Sequence, residues 1–245
     1  MQPTEYDHER PRTALVAGGG GVLGGAVVGV LLDRGERVCV PWRSPSEADR
    51  LRDRHADALR EGRLRLSECD VADGDQVAAL LDVLRADWGP LWLACSTVGG
   101  WAGGTPVAEL ADPALFDRMM LLNLRTAAVV AGEGLRHMGP AGGRVVLVGS
   151  RTVSVPAGGQ AAYSAAKAGV HSLVATLAEE LRGTGRTANA VVPKVIDTPE
   201  NRASMPDADH DRWVPARGIA KVVAWLGSAE SWPVSGAAIP VYGDS

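Results

Sequence analysis

Apolar runs of strand length alternate with helix-type segments along almost the whole chain, and this alternation limits the fold more than any other feature. It predicts strands at 13–17, 37–40, 64–68, 91–95, 144–148, 187–192 and 237–241. It predicts a helix that carries Tyr163 and Lys167, and further helices at 22–34, about 45–60, 76–87, 113–138 and near 217–226. Strands separated by helices are typical of parallel βαβ units with right-handed crossovers. We therefore predict an α/β fold with a single doubly wound parallel sheet of about seven strands.

No internal repeat or linker divides the chain, so we predict one domain at 12–245 after a flexible N-terminal tail at 1–11. Hydrophobic residues make up 46% and charged residues 22%, which are ordinary globular values. The formal net charge of −4 offers no basic surface for nucleic acid, and no apolar run is long enough to span a membrane. The polar N-terminus is unlike a signal peptide. We expect a cytoplasmic protein that binds neither nucleic acid nor membranes.

The cysteines and histidines show no pattern of metal ligands. Cys39, Cys69 and Cys95 are far apart, and each lies within an apolar run, which predicts buried free thiols. The five histidines form no set with ligand spacing. We therefore predict no metal site.

A glycine-rich segment follows the first predicted strand and opens the first predicted helix. Glycines permit a tight turn, and they let backbone N–H groups at a helix N-terminus approach a pyrophosphate. A merely flexible turn is the alternative, but the position between strand and helix favours dinucleotide binding. The candidate residues are Gly18, Gly20, Gly21, Val22, Leu23 and Gly24.

Tyr163 and Lys167 are four residues apart on a predicted helix, so their side chains lie on the same face. A neighbouring ammonium favours the phenolate, and we expect it to lower the pKa of Tyr163 below its usual value of about 10. Such a tyrosine can exchange a proton near neutral pH, as a general acid or base must. The alternative is two unrelated surface side chains.

The segment from Val16 to Gly24 and the run Tyr-Ser-Ala-Ala-Lys resemble the short-chain dehydrogenase/reductase family, which has the Rossmann fold, and the resemblance extends over about residues 12–243. Ala17 stands where the family usually has threonine, and Val22 where it has a glycine. The resemblance implies a catalytic set of four residues, in which a serine polarises the substrate and an asparagine supports a proton-relay water. The members at the family's spacing are Ser150, Asn123, Tyr163 and Lys167.

The end of the second strand favours NADP(H) over NAD(H). A family member that binds NAD would place an aspartate near Trp42, whereas this chain has Arg43 and Ser44, which suit a 2′-phosphate. A solvated arginine is the alternative. The resemblance also assigns Asp70 to the adenine, although Asp70 would otherwise cap the next helix. It implies that Thr198 contacts the nicotinamide carboxamide and that Lys167 holds the ribose. Further cofactor contacts are expected from Val71, Gly99, Pro193, Val195 and the catalytic Tyr163.

Two stretches resemble the dihydropteridine reductase branch of the family: the Gly-Gly-Trp-Ala-Gly-Gly run at 99–104, and residues 197–215. That branch lacks equivalents of Ser150 and Asn123, so the chain need not share its substrate. The polar, proline-broken segment at about 196–215 predicts a substrate lid. We expect substrate contacts from Trp101, Arg151, Arg202 and Trp213.

Together these features predict an NADP(H)-dependent oxidoreductase that reduces a carbonyl or imine of a small substrate, cyclic and aromatic compounds included. Tyr163 would be the proton donor. Reduction of a quinonoid pterin, an epimerase or lyase reaction without net cofactor turnover, and NADP(H) binding by a non-enzymatic regulator are the alternatives. The resemblance implies a homodimer or homotetramer.

Overall fold

A parallel sheet forms the centre of the protein. The computed structural model describes residues 11–109 and 113–244, and its strands are β1 (Thr13–Ala17), β2 (Arg37–Trp42), β3 (Leu64–Glu68), β4 (Leu91–Ser96), β5 (Gly143–Val148), β6 (Arg186–Pro193), β7 (Ile196–Asp197), β8 (Val214–Pro215) and β9 (Ala238–Val241). Seven of them form one sheet in the order β3-β2-β1-β4-β5-β6-β9, and β7 pairs with β8. All of these pairings are parallel. The predicted seven-stranded, doubly wound sheet is confirmed.

Helices cover both faces of the sheet. They are α1 (Val22–Asp33), α2 (Pro45–Arg54), α3 (Ala56–Arg60), α4 (Gly74–Trp88), α5 (Ala114–Met120), α6 (Thr126–His137), α7 (Ala161–Glu180), α8 (Pro199–Ser204) and α9 (Ala216–Leu226). Apolar side chains of α1 and α9 pack on one face, and those of α4, α6 and α7 pack on the other. Burial on both faces explains why the central strands read as continuous apolar runs.

Two helices differ from the predictions. The helix predicted at about 45–60 is broken at His55, where φ is −126° and ψ is 36°, so α2 and α3 are separate. The long helix predicted at 113–138 contains a π-helical turn, Leu121–Arg125, between α5 and α6. This turn carries Asn123, which is only 1% exposed. Its side chain leaves the helix to bond with a neighbouring loop, as described below.

The order of the strands determines where a ligand should bind. From β1 the chain proceeds outward to β2 and β3 and then returns to β4 on the other side. In doubly wound sheets, ligands bind beyond the carboxyl ends of the strands at this reversal. The segments after β1, β4, β5 and β6 are therefore where a ligand is expected to bind.

The segment at 196–215 begins and ends in a short parallel pairing. Ile196 of β7 pairs with Val214 of β8, and Asp197 with Pro215. Between them lie α8 and a single helical turn, His210–Arg212. The proposed lid is thus a loop whose two ends are hydrogen-bonded to each other.

The three cysteines are free and buried, as predicted. Burial raises the pKa of Cys39 to about 12, of Cys69 to about 11 and of Cys95 to about 12. The predicted tail at 1–11 lies almost wholly outside the described residues. Among the residues that the structure describes, no helix has the length and apolar character needed to cross a membrane.

Candidate active site

The glycine segment folds back on the first turn of α1. Gly18 has a φ of +80°, and its carbonyl accepts a hydrogen bond from Gly21 N at 3.0 Å. A Cβ on Gly24 would lie 2.0 Å from that same carbonyl oxygen, so only glycine permits this approach. The packing explains why this stretch needs glycine, whereas Val22, at 40% exposed, tolerates a side chain.

The N-terminus of α1 suits an anion. Gly21 is the N-cap residue of α1 and has no side chain to bond with the first N–H groups. The first turn of α1 contains no acidic residue. Free N–H groups in the first turn of a helix attract phosphate. Val22, Leu23 and Gly24 supply these groups, and the glycines before them leave room for a pyrophosphate. The residues present therefore fit the dinucleotide that the sequence predicts.

Thr97 joins this loop to the end of β4. Its backbone N–H and its hydroxyl both donate to the carbonyl of Ala17, at 2.9 Å and 3.0 Å. A Cβ on Gly18 would lie 2.7 Å from Thr97 Oγ1, so the two segments are in close contact. No sequence pattern marks Thr97, since its contact with Ala17 depends on the pairing of β1 with β4.

Two predicted cofactor residues contact each other. Arg43 Nη1 lies 3.3 Å from Asp70 Oδ2, and their side chains are 67% and 38% exposed. Ser44 Oγ lies 2.9 Å from Ser46 Oγ. The segments after β2 and β3 thus place a guanidinium, a carboxylate and hydroxyls close together at the surface.

Asp70 is not the cap of α4, so the alternative reading of this residue was wrong. The cap is Asp73, whose carboxylate accepts from the N–H groups of Asp75 and Gln76 at 3.0 Å and 3.2 Å. Asp70 Oδ1 instead accepts from Ala72 N at 2.9 Å, in the turn that contains Val71. The bond from Ala72 N holds the Asp70 carboxylate, whose other oxygen lies 3.3 Å from Arg43 Nη1.

Ser150 and Tyr163 lie beside each other, just after the end of β5 and near the start of α7. Ser150 is 7% exposed, and its side chain lies near enough to the Tyr163 phenol to favour the phenolate and so to lower the pKa of Tyr163 in part. The same oxygen accepts from Thr152 N at 3.3 Å, so the turn after β5 orients it. A hydroxyl and a phenol therefore converge at the carboxyl edge of the sheet.

The predicted direction of the Tyr163 pKa shift was wrong. Burial raises the pKa of Tyr163 above its usual value, and the hydrogen bond from Ser150 opposes this shift only in part. Lys167 Nζ lies 5.9 Å from the centre of the Tyr163 ring, and it donates instead to Val148 O at 2.8 Å. Desolvation outweighs a charge at that distance, so the phenol is protonated at neutral pH.

Lys167 is itself strongly perturbed. It is 4% exposed, and burial lowers its pKa to about 8. Its bond is to a backbone carbonyl, which carries no full negative charge to offset the ammonium. The site therefore holds a buried cation beside a buried phenol.

Asn123 joins the π-helical turn to the loop after β4. Its Nδ2 donates to Gly100 O at 3.0 Å and to Met119 O at 3.1 Å, and its Oδ1 accepts from Gly100 N at 3.2 Å. A Cβ on Gly99 would lie 2.8 Å from Asn123 Oδ1 and 3.5 Å from Lys167 Nζ. Gly99 thus lies between two members of the predicted catalytic set.

The four predicted substrate contacts differ in exposure and in the groups that they touch. Trp101 is 62% exposed, while Trp213 is 8% exposed and packs against His210 at 4.5 Å between ring centres. Arg202 forms two bonds to Asp197, at 2.6 Å and 2.9 Å, so its charge is already paired. Arg151 lies over the Tyr242 ring at 5.7 Å. Arg202, Trp213 and Arg151 thus already have partners within the protein.

Three residues at the end of β6 and just after it, which were predicted to contact the cofactor, also belong to the local structure. Pro193 ends β6 and is buried, and Val195 follows just before β7. Thr198 caps α8, because its Oγ1 accepts from Asn201 N at 3.1 Å. A carboxamide contact from Thr198 would have to share that oxygen.

His171 is a polar residue at this site that the sequence analysis did not single out. It lies on α7 four residues after Lys167, and its Nε2 accepts from Ser150 N at 3.4 Å. Tyr163, Lys167 and His171 therefore continue one face of the helix with a spacing of four. That spacing was visible in the sequence, but the histidines were considered only as metal ligands.

Known proteins resemble the chain over nearly its whole length. A family model described as short chain dehydrogenase matches residues 12–209. The cis-4-hydroxycyclohexanecarboxylate dehydrogenase of Sinomonas cyclohexanicum is 32% identical over 243 residues, which cover 95% of each chain. The dihydropteridine reductase of Dictyostelium discoideum is 26% identical and covers 93% of each chain. A solved structure of a blue fluorescent protein from a metagenomic library, in complex with NADPH, has a TM-score of 0.83 at 27% identity and covers 96% of this chain and 98% of that chain.

Proposed function

The chain belongs to the short-chain dehydrogenase/reductase family, and on that premise we propose that it is an NADP(H)-dependent reductase of a carbonyl or imine in a small substrate. The observation that carries the proposal is the grouping of Ser150 beside Tyr163, with Lys167 buried on the same face of α7. A hydroxyl and a protonated phenol that converge on one point can both donate to a single substrate oxygen.

Tyr163 is the proposed proton donor. Its raised pKa means that the phenol still holds its proton at neutral pH, as a general acid in the reducing direction requires. Ser150 donates a second hydrogen bond to the substrate oxygen. The charge of Lys167 stabilises the phenolate that remains after the proton has left. When bound, the nicotinamide supplies the hydride to the substrate carbon.

Asn123 and the backbone around Gly100 complete the proposed catalytic set. Because Asn123 Nδ2 and Oδ1 both bond to Gly100, the residue holds the loop after β4 against the π-helical turn between α5 and α6. We assign Asn123 the support of the water through which Tyr163 regains its proton, as the family resemblance implies.

The preference for NADP(H) is proposed from Arg43 and Ser44. Arg43 is exposed, and a solvated ion pair of the kind that it forms with Asp70 contributes only about 0–1 kcal/mol. A 2′-phosphate could therefore take the guanidinium in place of Asp70. The NADPH complex of the metagenomic protein supports the same choice.

A small cyclic compound is the proposed substrate class. The Sinomonas relative is named for a cyclic hydroxy acid. A compound of that kind fits the proposed site, which is open to solvent at Trp101. Reduction of a quinonoid pterin is the second candidate, because the Dictyostelium relative is a dihydropteridine reductase. We further propose that residues 196–215 close over the substrate, and that the enzyme is a cytoplasmic homodimer or homotetramer, as the family leads us to expect.

The proposal is tested by cofactor oxidation with NADPH and NADH against a panel of cyclic ketones, quinones and quinonoid dihydropterin. We expect faster turnover of a cyclic ketone with NADPH, and loss of most of that turnover in Tyr163→Phe without loss of NADPH binding. Tyr242→Phe is the matched control and should keep its rate. Full turnover by Tyr163→Phe would refute the assignment, and conversion of a substrate without net NADPH oxidation would favour an epimerase or lyase.

A further inference from the structure

Three residues on one face of α7 contact three consecutive residues at the end of β5. Lys167 Nζ donates to Val148 O at 2.8 Å, and Ser150 lies beside the Tyr163 phenol and affects its pKa. His171 Nε2 accepts from Ser150 N at 3.4 Å. The first two contacts belong to the catalytic set proposed above, whereas the third has no role in it.

The His171 imidazole is packed closely against the backbone before Ser150. A Cβ on Gly149 would lie 2.3 Å from His171 Nε2 and 2.8 Å from its Cδ2. Glycine at 149 therefore leaves the space that the ring fills. The Gly149 N–H donates to Val191 O at 2.8 Å, so β6 holds the other side of this segment.

We infer that His171 is a positioning residue: its neutral imidazole holds the Ser150 backbone so that the Ser150 hydroxyl stays in reach of Tyr163 and the substrate oxygen. This inference rests on the proposed function for its catalytic consequence, but the contact itself does not. An acceptor at Nε2 requires that the ring proton lie on Nδ1. Protonation at Nε2 would remove the acceptor and would place an N–H of His171 against the N–H of Ser150.

The surroundings keep His171 neutral. Burial, with a smaller contribution from the charge of Lys167, lowers the pKa of His171 below its usual value. Lys167 is the one charged group among the described residues that shifts this pKa, and the β5 end presents only the backbone of Gly149 and Ser150. The acceptor is thus intact at neutral pH and is lost only in acid.

His171→Met and His171→Gln test the inference as a pair. Methionine has similar bulk without a good acceptor, whereas glutamine can place an oxygen near the position of Nε2. We expect kcat to fall about tenfold in His171→Met with little change in the KM for NADPH, since complete loss of an oxyanion donor costs about 10²–10³. His171→Gln should recover most of kcat. Equal loss in both variants, or none in His171→Met, would overturn the inference.

The pH profile separates a positioning role from simple packing. In the wild type, kcat should fall as the pH drops below His171's lowered pKa, and this acidic limb should be absent from His171→Gln. His55→Gln, at the break between α2 and α3, is the control and should keep the limb. An acidic limb unchanged in His171→Gln would contradict the inference.

Selective labelling with ¹⁵N-serine gives a readout that needs no substrate. The Ser150 amide resonance should titrate with His171 in the wild type and should shift upfield in His171→Met, because the hydrogen bond is lost. A Ser150 amide resonance that neither titrates with His171 nor shifts in His171→Met would refute the contact, even if the enzyme is active. A responsive amide in a protein without reductase activity would instead refute the proposed function alone.

Discussion

Replacing Gly24 by alanine tests whether the glycine segment builds a cofactor site or only a turn. A Cβ at Gly24 would lie 2.0 Å from Gly18 O and 2.7 Å from Thr97 Oγ1, whereas ordinary contacts begin at 3.4 Å. The loop would therefore have to move by roughly 1.4 Å, since Gly24 is held in α1 and Gly18 O is a backbone atom. Such a movement displaces the N–H groups assigned to the pyrophosphate.

Gly29 offers a matched control on the same helix. A Cβ there would meet its nearest atom, His55 Cε1, at 3.7 Å, which is an ordinary contact. Alanine in place of a helical glycine should stabilise the fold by about 0.5–1 kcal/mol. At Gly24 the same gain is opposed by overpacking, which typically costs about 1–3 kcal/mol. Gly29→Ala should thus be as stable as the wild type or more so, and Gly24→Ala less stable.

The assay combines urea unfolding with NADPH titration by fluorescence. We expect Gly24→Ala to weaken NADPH binding about tenfold or more, because several backbone donors move together. Gly29→Ala should bind NADPH as the wild type does. A folded Gly24→Ala whose dissociation constant for NADPH stays within about twofold of the wild type would refute the reasoning.

Two further predictions concern charges and thiols. Arg43→Ser should weaken NADPH binding about tenfold and leave NADH binding nearly unchanged in the same titration, since only the 2′-phosphate would lose its partner; equal weakening of both cofactors would contradict this. Above pH 9, the free energy of unfolding should fall as pH rises, because the pKa values of Cys39, Cys69 and Cys95 are raised to about 11–12 and the unfolded chain loses these protons first, near 9.0. The pKa of Lys167 is lowered to about 8, so this group makes the free energy of unfolding rise with pH over the same range. The three thiols together have a larger effect than this single lysine. Urea unfolding at pH 8.5 and 10.5 measures the difference, and stability that stays level or rises would show that the thiols are less buried than the structure places them.

The strands of the sheet could be predicted because each one has the same sequence pattern. β1 and β3 begin and end at the predicted residues, since buried parallel strands are continuous apolar runs between turn residues. β2 extends to Trp42, two residues beyond its predicted end, because Pro41 interrupts the apolar run without leaving the sheet. Local pattern thus identifies a strand better than it locates its last residue.

The π-helical turn could not be predicted from the sequence. An apolar periodicity near 3.6 tolerates one wide turn without visible change, so residues 113–138 read as one helix. What identifies the turn is the bonding of Asn123 to Gly100, across a distance of 23 residues in the chain. Only the folded structure brings those two groups together.

The proposed catalytic set comes from sequence spacing and family resemblance, which say nothing of its electrostatics. Ser150, thirteen residues before Tyr163, was assigned by family resemblance, and the structure places it beside the Tyr163 phenol. The sign of the Tyr163 pKa shift was wrong because burial, which no local pattern reports, outweighs a lysine bonded to Val148 O. His171 shows the opposite case, in which the helical spacing was present in the sequence but was considered only for metals.

Transfer of deuterium from NADPH tests the central claim most directly. NADPH deuterated at C4 of the nicotinamide would be mixed with the panel carbonyl compound that the wild type reduces fastest, and the alcohol would be analysed by mass spectrometry and NMR. The account predicts one deuterium on the carbinol carbon, delivered from a single C4 position, and about 10²-fold or more slower labelling in Tyr163→Phe. Product without deuterium at that carbon, or labelling at the wild-type rate in Tyr163→Phe, would contradict it.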